Sequence, residues 1–216
     1  MTERLYYISD ATEGRAKVIR CTEEPDGRYA VELDQTLYHP QGGGQPADRG
    51  VIAGIAVEGV SLRGEQVIHM LARSLEPGEE VEMQIDKSAR VRHSRWHSAG
   101  HLIGYAGEQF GWEPVKAHHW PGEGRITFMP REQQASMPEA SALLAMIDGW
   151  KADNLLCHSE IEAGRRKIRF GDLPAYPCGG THVTQLAEIG EMQRFELKIK
   201  KGQLVVTYAL DEQECD

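Results

Sequence analysis

The sequence predicts an α+β protein in two parts, a small β domain over residues 1–88 and an α+β domain over residues 89–216. Three observations carry this. Up to about residue 86 the chain reads as short β-like runs between turn signals. Near Asp86 the apolar period changes from two to helical. Beyond the first long helix, strands and one further helix alternate to the end.

The elements follow in order. Strands are expected at Leu5–Ser9, Ala16–Thr22, Tyr29–Leu33, Ile52–Val60, Val67–Leu71 and Glu80–Ile85. Pro25-Asp26-Gly27 and Glu76-Pro77-Gly78 are turns between them. Many short strands with Gly-rich turns suit a barrel or a sandwich. Residues 87–110 lack proline and repeat apolar residues at helical spacing, with Gly111 as a stop. A loop holding Pro114 and Pro121 leads to a strand at Arg125–Met129. Pro138 opens a helix running to about Asp153. Strands follow at His158–Ala163 and Lys167–Phe170, and a Pro-rich approach ends at Pro177. Glu191–Lys200 and Gln203–Leu210 form a hairpin about Lys201-Gly202.

Composition is that of a globular protein, with 40% hydrophobic and 26% charged residues. No run of about eighteen apolar residues suggests a membrane span. The opening MTERLYYISDATEGR has neither a basic nor an apolar signal region. Cys21, Cys157, Cys178 and Cys215 lack a framework spacing and are expected to be reduced, which points to the cytoplasm. The net charge is −9, which argues against broad non-specific binding to nucleic acid. The charge is unevenly placed. Residues 1–90 hold 10 basic and 16 acidic residues, whereas 164–201 hold 8 basic and 4 acidic ones. Arg165, Arg166 and Lys167 lie in that basic stretch, and Arg90, Arg92 and Arg95 precede the first histidine motif. Such runs are most often solvated faces, or here a means to steer a polyanion.

Two short motifs carry the chemistry. His97-Ser-Ala-Gly-His101 falls in the expected helix, where positions four apart share a face. Cys178-Gly-Gly-Thr-His182 offers a thiol and an imidazole at the same separation. Together they could complete a tetrahedral zinc site. His93 lies on the same helical stripe, so the helix offers three histidines. Ser98 stands where a zincin protease has its glutamate, which argues against that class. Spacing alone leaves open whether the zinc staples the fold or serves catalysis. Tyr38-His-Pro-Gln-Gly-Gly-Gly-Gln-Pro-Ala-Asp-Arg-Gly50 matches neither a Walker A loop nor a dinucleotide fingerprint. Its glycines suit a sharp turn, or a close approach by RNA or by the second domain.

The GGGQ run, the HSAGH helix, and CGGTHV followed by Glu188-Ile189-Gly190 resemble the editing region of alanyl-tRNA synthetases. They resemble still more the AlaX proteins, the free-standing form of that region. The likeness runs in order along nearly the whole chain. It implies an N-terminal β-barrel and a zinc-binding editing domain held by His97, His101, Cys178 and His182. It also implies hydrolysis of tRNA(Ala) mischarged with serine, or with glycine, with no need for ATP. The family often has Thr after the first histidine and Thr or Gln before the second, where this chain has Ser98 and Gly100.

On this resemblance Thr181 and His119 are the candidate catalytic residues. Gly42, Gly43, Gly44, Gln45, Arg165, Arg166 and Lys167 are candidates for contact with the mischarged tRNA. The backbone N–H groups of Gly179, Gly180 and Thr181 are candidate oxyanion donors. Zinc could activate water, polarise the ester or hold the α-amino group. Two alternatives stand beside this reading. One is a zinc-dependent hydrolase of another aminoacyl-tRNA or ester, and the other is an RNA-binding module with a structural zinc.

Overall fold

The computed structural model describes residues 2–131 and 135–212. The chain divides into two compact units. The first holds residues up to Gly42 and Pro46–Arg90, and the second holds Gly43–Gln45 and Val91 onward. The tripeptide Gly43-Gly44-Gln45 therefore belongs with the later part of the chain.

The first unit runs β1 (Glu3–Arg4), a short 3-10 helix (Leu5–Tyr7), β2 (Glu13–Glu23), β3 (Tyr29–Leu33), β4 (Gln35–Thr36), β5 (Gly50–Ile52), β6 (Ile55–Arg63), β7 (Gln66–Leu71) and β8 (Glu80–Ile85). Strands β2-β3-β7-β6-β5-β8 pair antiparallel in that order, and β8 pairs back onto β2, so the sheet closes as a barrel. Alternation drives this. In β8, Val81, Met83 and Ile85 point inward and the residues between them outward. Inside, they join Val18, Leu33, Tyr38 and Ile52. Two expectations change here. Leu5–Ser9 is not a strand, because Leu5–Tyr7 takes a 3-10 turn that buries Tyr6. Ile52–Val60 is two strands, because Ala53 and Gly54 both take positive φ (51° and 72°) and turn the chain back.

Helix α1 (Lys87–Gln109) starts with Asp86, whose carboxylate accepts the Ala89 N–H at 3.0 Å. The second unit continues with β9 (Trp112–His118), β10 (Gly124–Pro130), α2 (Ala140–Ala152), β11 (Cys157–Glu162), β12 (Arg165–Phe170), β13 (Tyr176–Pro177), a 3-10 turn (Leu186–Ile189), β14 (Met192–Lys200) and β15 (Gln203–Leu210). One sheet has the order β14-β15-β10-β9, and the other β11-β12-β13. The core gathers Leu102, Ile103 and Ala106 of α1 with Phe128, Val206, Tyr208, Ile168 and Phe170. Strand β9 replaces the loop that Pro114 and Pro121 suggest from sequence. Its Pro114 is tolerated because β9 lies at the sheet edge and the register shifts there.

Among the described residues, no disulfide joins Cys21, Cys157 and Cys178, and Cys215 lies outside the described residues. No helix among the described residues is long and apolar enough to cross a membrane.

Candidate metal centre

Four side chains of the second unit converge. His97 and His101 come from successive turns of α1, and Cys178 and His182 from the turn after β13. Their ligand atoms all lie within 4.8 Å of one another. His97 Nε2 is 3.3 Å from Cys178 Sγ, Cys178 Sγ is 3.5 Å from His182 Nε2, and His182 Nε2 is 3.1 Å from His101 Nε2. A tetrahedral zinc with its usual bond lengths would separate neighbouring ligand atoms by about 3.3–3.6 Å. The group could hold a metal ion, and these three separations lie near that range. His93, the third histidine of the stripe, is not in the group.

Several local features place these atoms. The main-chain N–H of Cys178 donates to the Arg166 carbonyl at 3.1 Å, which extends the ladder of β12. The Arg166 guanidinium donates to the Gly180 carbonyl at 2.6 Å and to Ser159 Oγ at 2.9 Å. Ser98 Oγ accepts the Val183 N–H at 3.1 Å. A Cβ at Gly180 would lie 2.0 Å from the His97 ring, so only glycine lets the turn close on that imidazole. Arg95, buried on α1, donates to the Ile189 carbonyl and pairs with Asp211 at 2.5 Å. Gln185 and Glu188 cap the 3-10 turn reciprocally, and Gly190 leaves it at φ 80°. The Glu188-Ile189-Gly190 run is thus an anchoring device for the segment that follows His182.

Gln45 lies beside the group and is fully buried. Its Oε1 accepts the Thr181 N–H at 3.0 Å and lies 2.6 Å from His97 Nδ1. Its Nε2 donates to Thr181 Oγ1 at 2.9 Å. Thr181 Oγ1 also accepts from Ser94 Oγ at 2.7 Å. The Thr181 N–H is therefore committed to Gln45 and is not an oxyanion donor, contrary to the expectation from its glycine neighbours.

His119 stacks on His97, with ring centroids 4.4 Å apart. Its Nδ1 is 2.9 Å from Tyr208 Oη, which donates to the Trp96 carbonyl. The phenol oxygen thus accepts, and His119 carries its proton on Nδ1. The His119 main-chain N–H donates to the Gly44 carbonyl at 2.8 Å. At Gly44 φ is 82°, and a Cβ there would lie 2.6 Å from the Ala117 carbonyl oxygen.

Burial dominates the electrostatics. It pushes His101 down to about 4, helped by the Arg166 charge, and His119 down to about 3, helped by His101 and His118. Both are neutral imidazoles at pH 7. Burial raises the Cys178 thiol, while a Gly180 backbone hydrogen bond and Arg166 pull the other way.

The structure brings His97, His101, Cys178, His182, Thr181, His119 and Gln45 together. It does not bring Arg165 or Lys167 among the metal-ligand candidates. Arg165 is exposed, and Lys167 pairs with Glu162. Of the other basic cluster, Arg90 is buried against Asp48 at 2.5 Å, and it serves the fold of the first unit. Ser94 and Tyr208 were not anticipated from sequence. Ser94 is one turn before Ser98 on α1, but Tyr208 lies 89 residues from the imidazole it holds, and no spacing marks it.

No protein-family model matches the chain. It is 30% identical over 205 residues to the alanyl-tRNA editing protein AlaX-M of Pyrococcus horikoshii, with 91% of each chain covered. The chain belongs to the alanyl-tRNA editing family. It is also 30% identical to the alanyl-tRNA editing protein Aarsd1 of Bos taurus, covering 88% of this chain and 50% of that protein. The alanine–tRNA ligase of Halobacterium salinarum is 33% identical over 224 residues, and the match takes up 24% of the ligase. The editing-family likeness thus spans an AlaX-M protein almost end to end and about a quarter of a ligase.

Proposed function

We propose that this protein is a trans-editing hydrolase that deacylates mischarged tRNA(Ala), chiefly Ser-tRNA(Ala) and also Gly-tRNA(Ala), at a zinc site. One observation supports this above the rest. Three imidazoles and a thiol come within 4.8 Å of one another in a chain that matches alanyl-tRNA editing proteins. His97, His101, Cys178 and His182 would hold the ion. When bound, zinc supplies Lewis acidity for an ester carbonyl or for water.

The chain's own groups supply the remainder of the site. Both lone pairs of Thr181 Oγ1 are filled by Gln45 and Ser94, so its own proton is left to donate to substrate. A hydroxyl held this way can favour serine, whose side chain offers an acceptor that alanine lacks. His119, with its proton on Nδ1, keeps the Nε2 lone pair as an acceptor for water or for the amino acid. The loop Gly42-Gly43-Gly44-Gln45 would border the aminoacylated end of the tRNA. Arg165, Arg166 and Lys167 would face the phosphates, although Arg166 also holds the metal turn. In this reading residues 1–88 are the β-barrel domain, whose glycine-rich motif lends Gly43–Gln45 to the second unit, and residues 89–216 are the editing domain. The protein works in the cytoplasm, without ATP.

A deacylation panel tests this. Zinc-loaded protein is expected to release serine and glycine from tRNA(Ala) and to spare Ala-tRNA(Ala), and a chelator is expected to abolish the release. Spontaneous rates for Ser-tRNA(Ala) in the presence of zinc-loaded protein would overturn the proposal.

A second reading has one observation in its favour: four protein side chains are grouped closely enough to hold an ion, the number that structural zinc sites use. His101→Ala separates the two. Loss of deacylation with the fold retained supports the catalytic site, and unfolding supports the structural one.

A further inference from the structure

We infer that Gln45 is the positioning residue of the metal centre. It fixes the tautomer and ring orientation of His97 and ties that ligand to Thr181. The inference rests on the metal reading given under Proposed function.

The hydrogen bonds determine one another. The Thr181 main-chain N–H can only donate, so the Gln45 atom that meets it at 3.0 Å is the oxygen. The amide nitrogen then faces Thr181 Oγ1 at 2.9 Å and donates. With the oxygen so assigned, His97 Nδ1 at 2.6 Å must carry a proton and donate to it. The lone pair of His97 is thereby placed on Nε2, the atom that lies 3.3 Å from Cys178 Sγ. A metal-ligating histidine is ordinarily oriented through its other ring nitrogen, and losing that partner typically costs 10–100-fold in metal affinity or activity.

The surroundings leave Gln45 little choice. Its side chain is fully buried, and a Cβ at Gly180 would lie 2.7 Å from its Oε1. His97 is closed in by the Gly180 turn and by the stacked His119 ring. Among the described residues before Val91, Gly43, Gly44 and Gln45 alone belong to the second unit. The glycine-rich run thus delivers one amide to one imidazole, and its substrate-facing role passes through His97 and Thr181.

The test uses the full chain with Zn2+ and Co2+ alone. Affinity is read by chelator competition and geometry by the cobalt visible spectrum. Gln45→Leu keeps the bulk and removes the acceptor. It is expected to bind metal at least 10-fold more weakly, with an altered cobalt spectrum. Gln45→Glu keeps an acceptor for His97 Nδ1 and is expected to restore affinity to within a few-fold of wild type, which a purely structural role would not predict. Should the leucine variant fail to fold, nitrogen-15 NMR of histidine-labelled wild type decides. His97 protonated on Nδ1 and bound through Nε2 supports the inference, and the opposite tautomer overturns it. A folded leucine variant with wild-type affinity and spectrum also overturns it, and leaves the proposed function standing. Wild-type protein that takes up neither ion overturns the metal reading and this inference together.

Discussion

At the scale of single residues, close approach and hydrogen-bond direction decide the chemistry. Gly180 is the sharpest case, since any Cβ would enter the His97 ring. Gly180→Ala is expected to displace that imidazole and cut kcat/KM for Ser-tRNA(Ala) by at least about 10-fold, with the circular dichroism spectrum unchanged. Metal titration of the variant checks the cause. A second residue, remote from the metal centre, governs acid stability. His69 is buried in the barrel, its Nδ1 donating to the Val31 carbonyl at 3.1 Å and its Nε2 meeting Thr36 Oγ1 at 2.8 Å. Burial lowers it from 6.5 to about 4, against the smaller opposing effect of the Val31 bond. Between those values the unfolded chain binds a proton that the folded one excludes. Its contribution is therefore complete above pH 6.5 and is lost as the pH falls toward 4. Urea unfolding from pH 7 to pH 4 should show this loss. His69→Leu should lower stability at pH 7 and flatten the profile over that window. A variant profile parallel to wild type would show that another group is responsible.

At the scale of elements, α1 organises the second unit. It supplies two of the four candidate ligands, the serines that meet Thr181 and Val183, and Arg95. Arg95 ties the helix to the 3-10 turn and to Asp211 through a nearly buried ion pair. Removing one partner of such a pair commonly costs about 3–5 kcal/mol. Arg95→Ala is expected to lose stability on that order in denaturant melts, and Arg95→Met, which keeps the stem packing, somewhat less. The helix itself was legible from its apolar period and from Gly111 as its stop. Strand β9 was not, because Pro114 reads as a breaker until the sheet shows that it sits on an edge with a register shift. The Ile52–Val60 run likewise hid a turn, since Ala53 carries no strong signal for the positive φ it adopts.

At the scale of the whole molecule, charge and the proposed zinc ion are the terms to test. Removing the metal should lower the melting temperature and abolish deacylation, with zinc restoring both. Ligand concentrations near 1,000 times Kd stabilise by about 4 kcal/mol, a shift that a thermal melt resolves easily. The surplus of basic residues over 164–201 in a chain of net charge −9 suits local docking of a polyanion. Exchanging Arg165 and Lys167 together for Ala should raise KM for the tRNA and weaken its salt dependence while kcat holds. Arg166→Met should instead weaken metal binding, because its guanidinium holds the Gly180 carbonyl.

The sequence by itself determined the α+β class, the long helix, the four candidate ligands and the family. The helix and the ligands rest on spacings of a few residues, where chain geometry fixes which side chains share a face, and the family on the resemblance of three motifs. Only the tertiary structure showed Gln45 on His97, Thr181 under Gln45 and Tyr208 on His119, pairs separated by 52, 136 and 89 residues. No local period encodes such separations. They follow from the path of the chain, and from the glycines at 44, 100 and 180, which let backbone and rings approach where a Cβ would not fit.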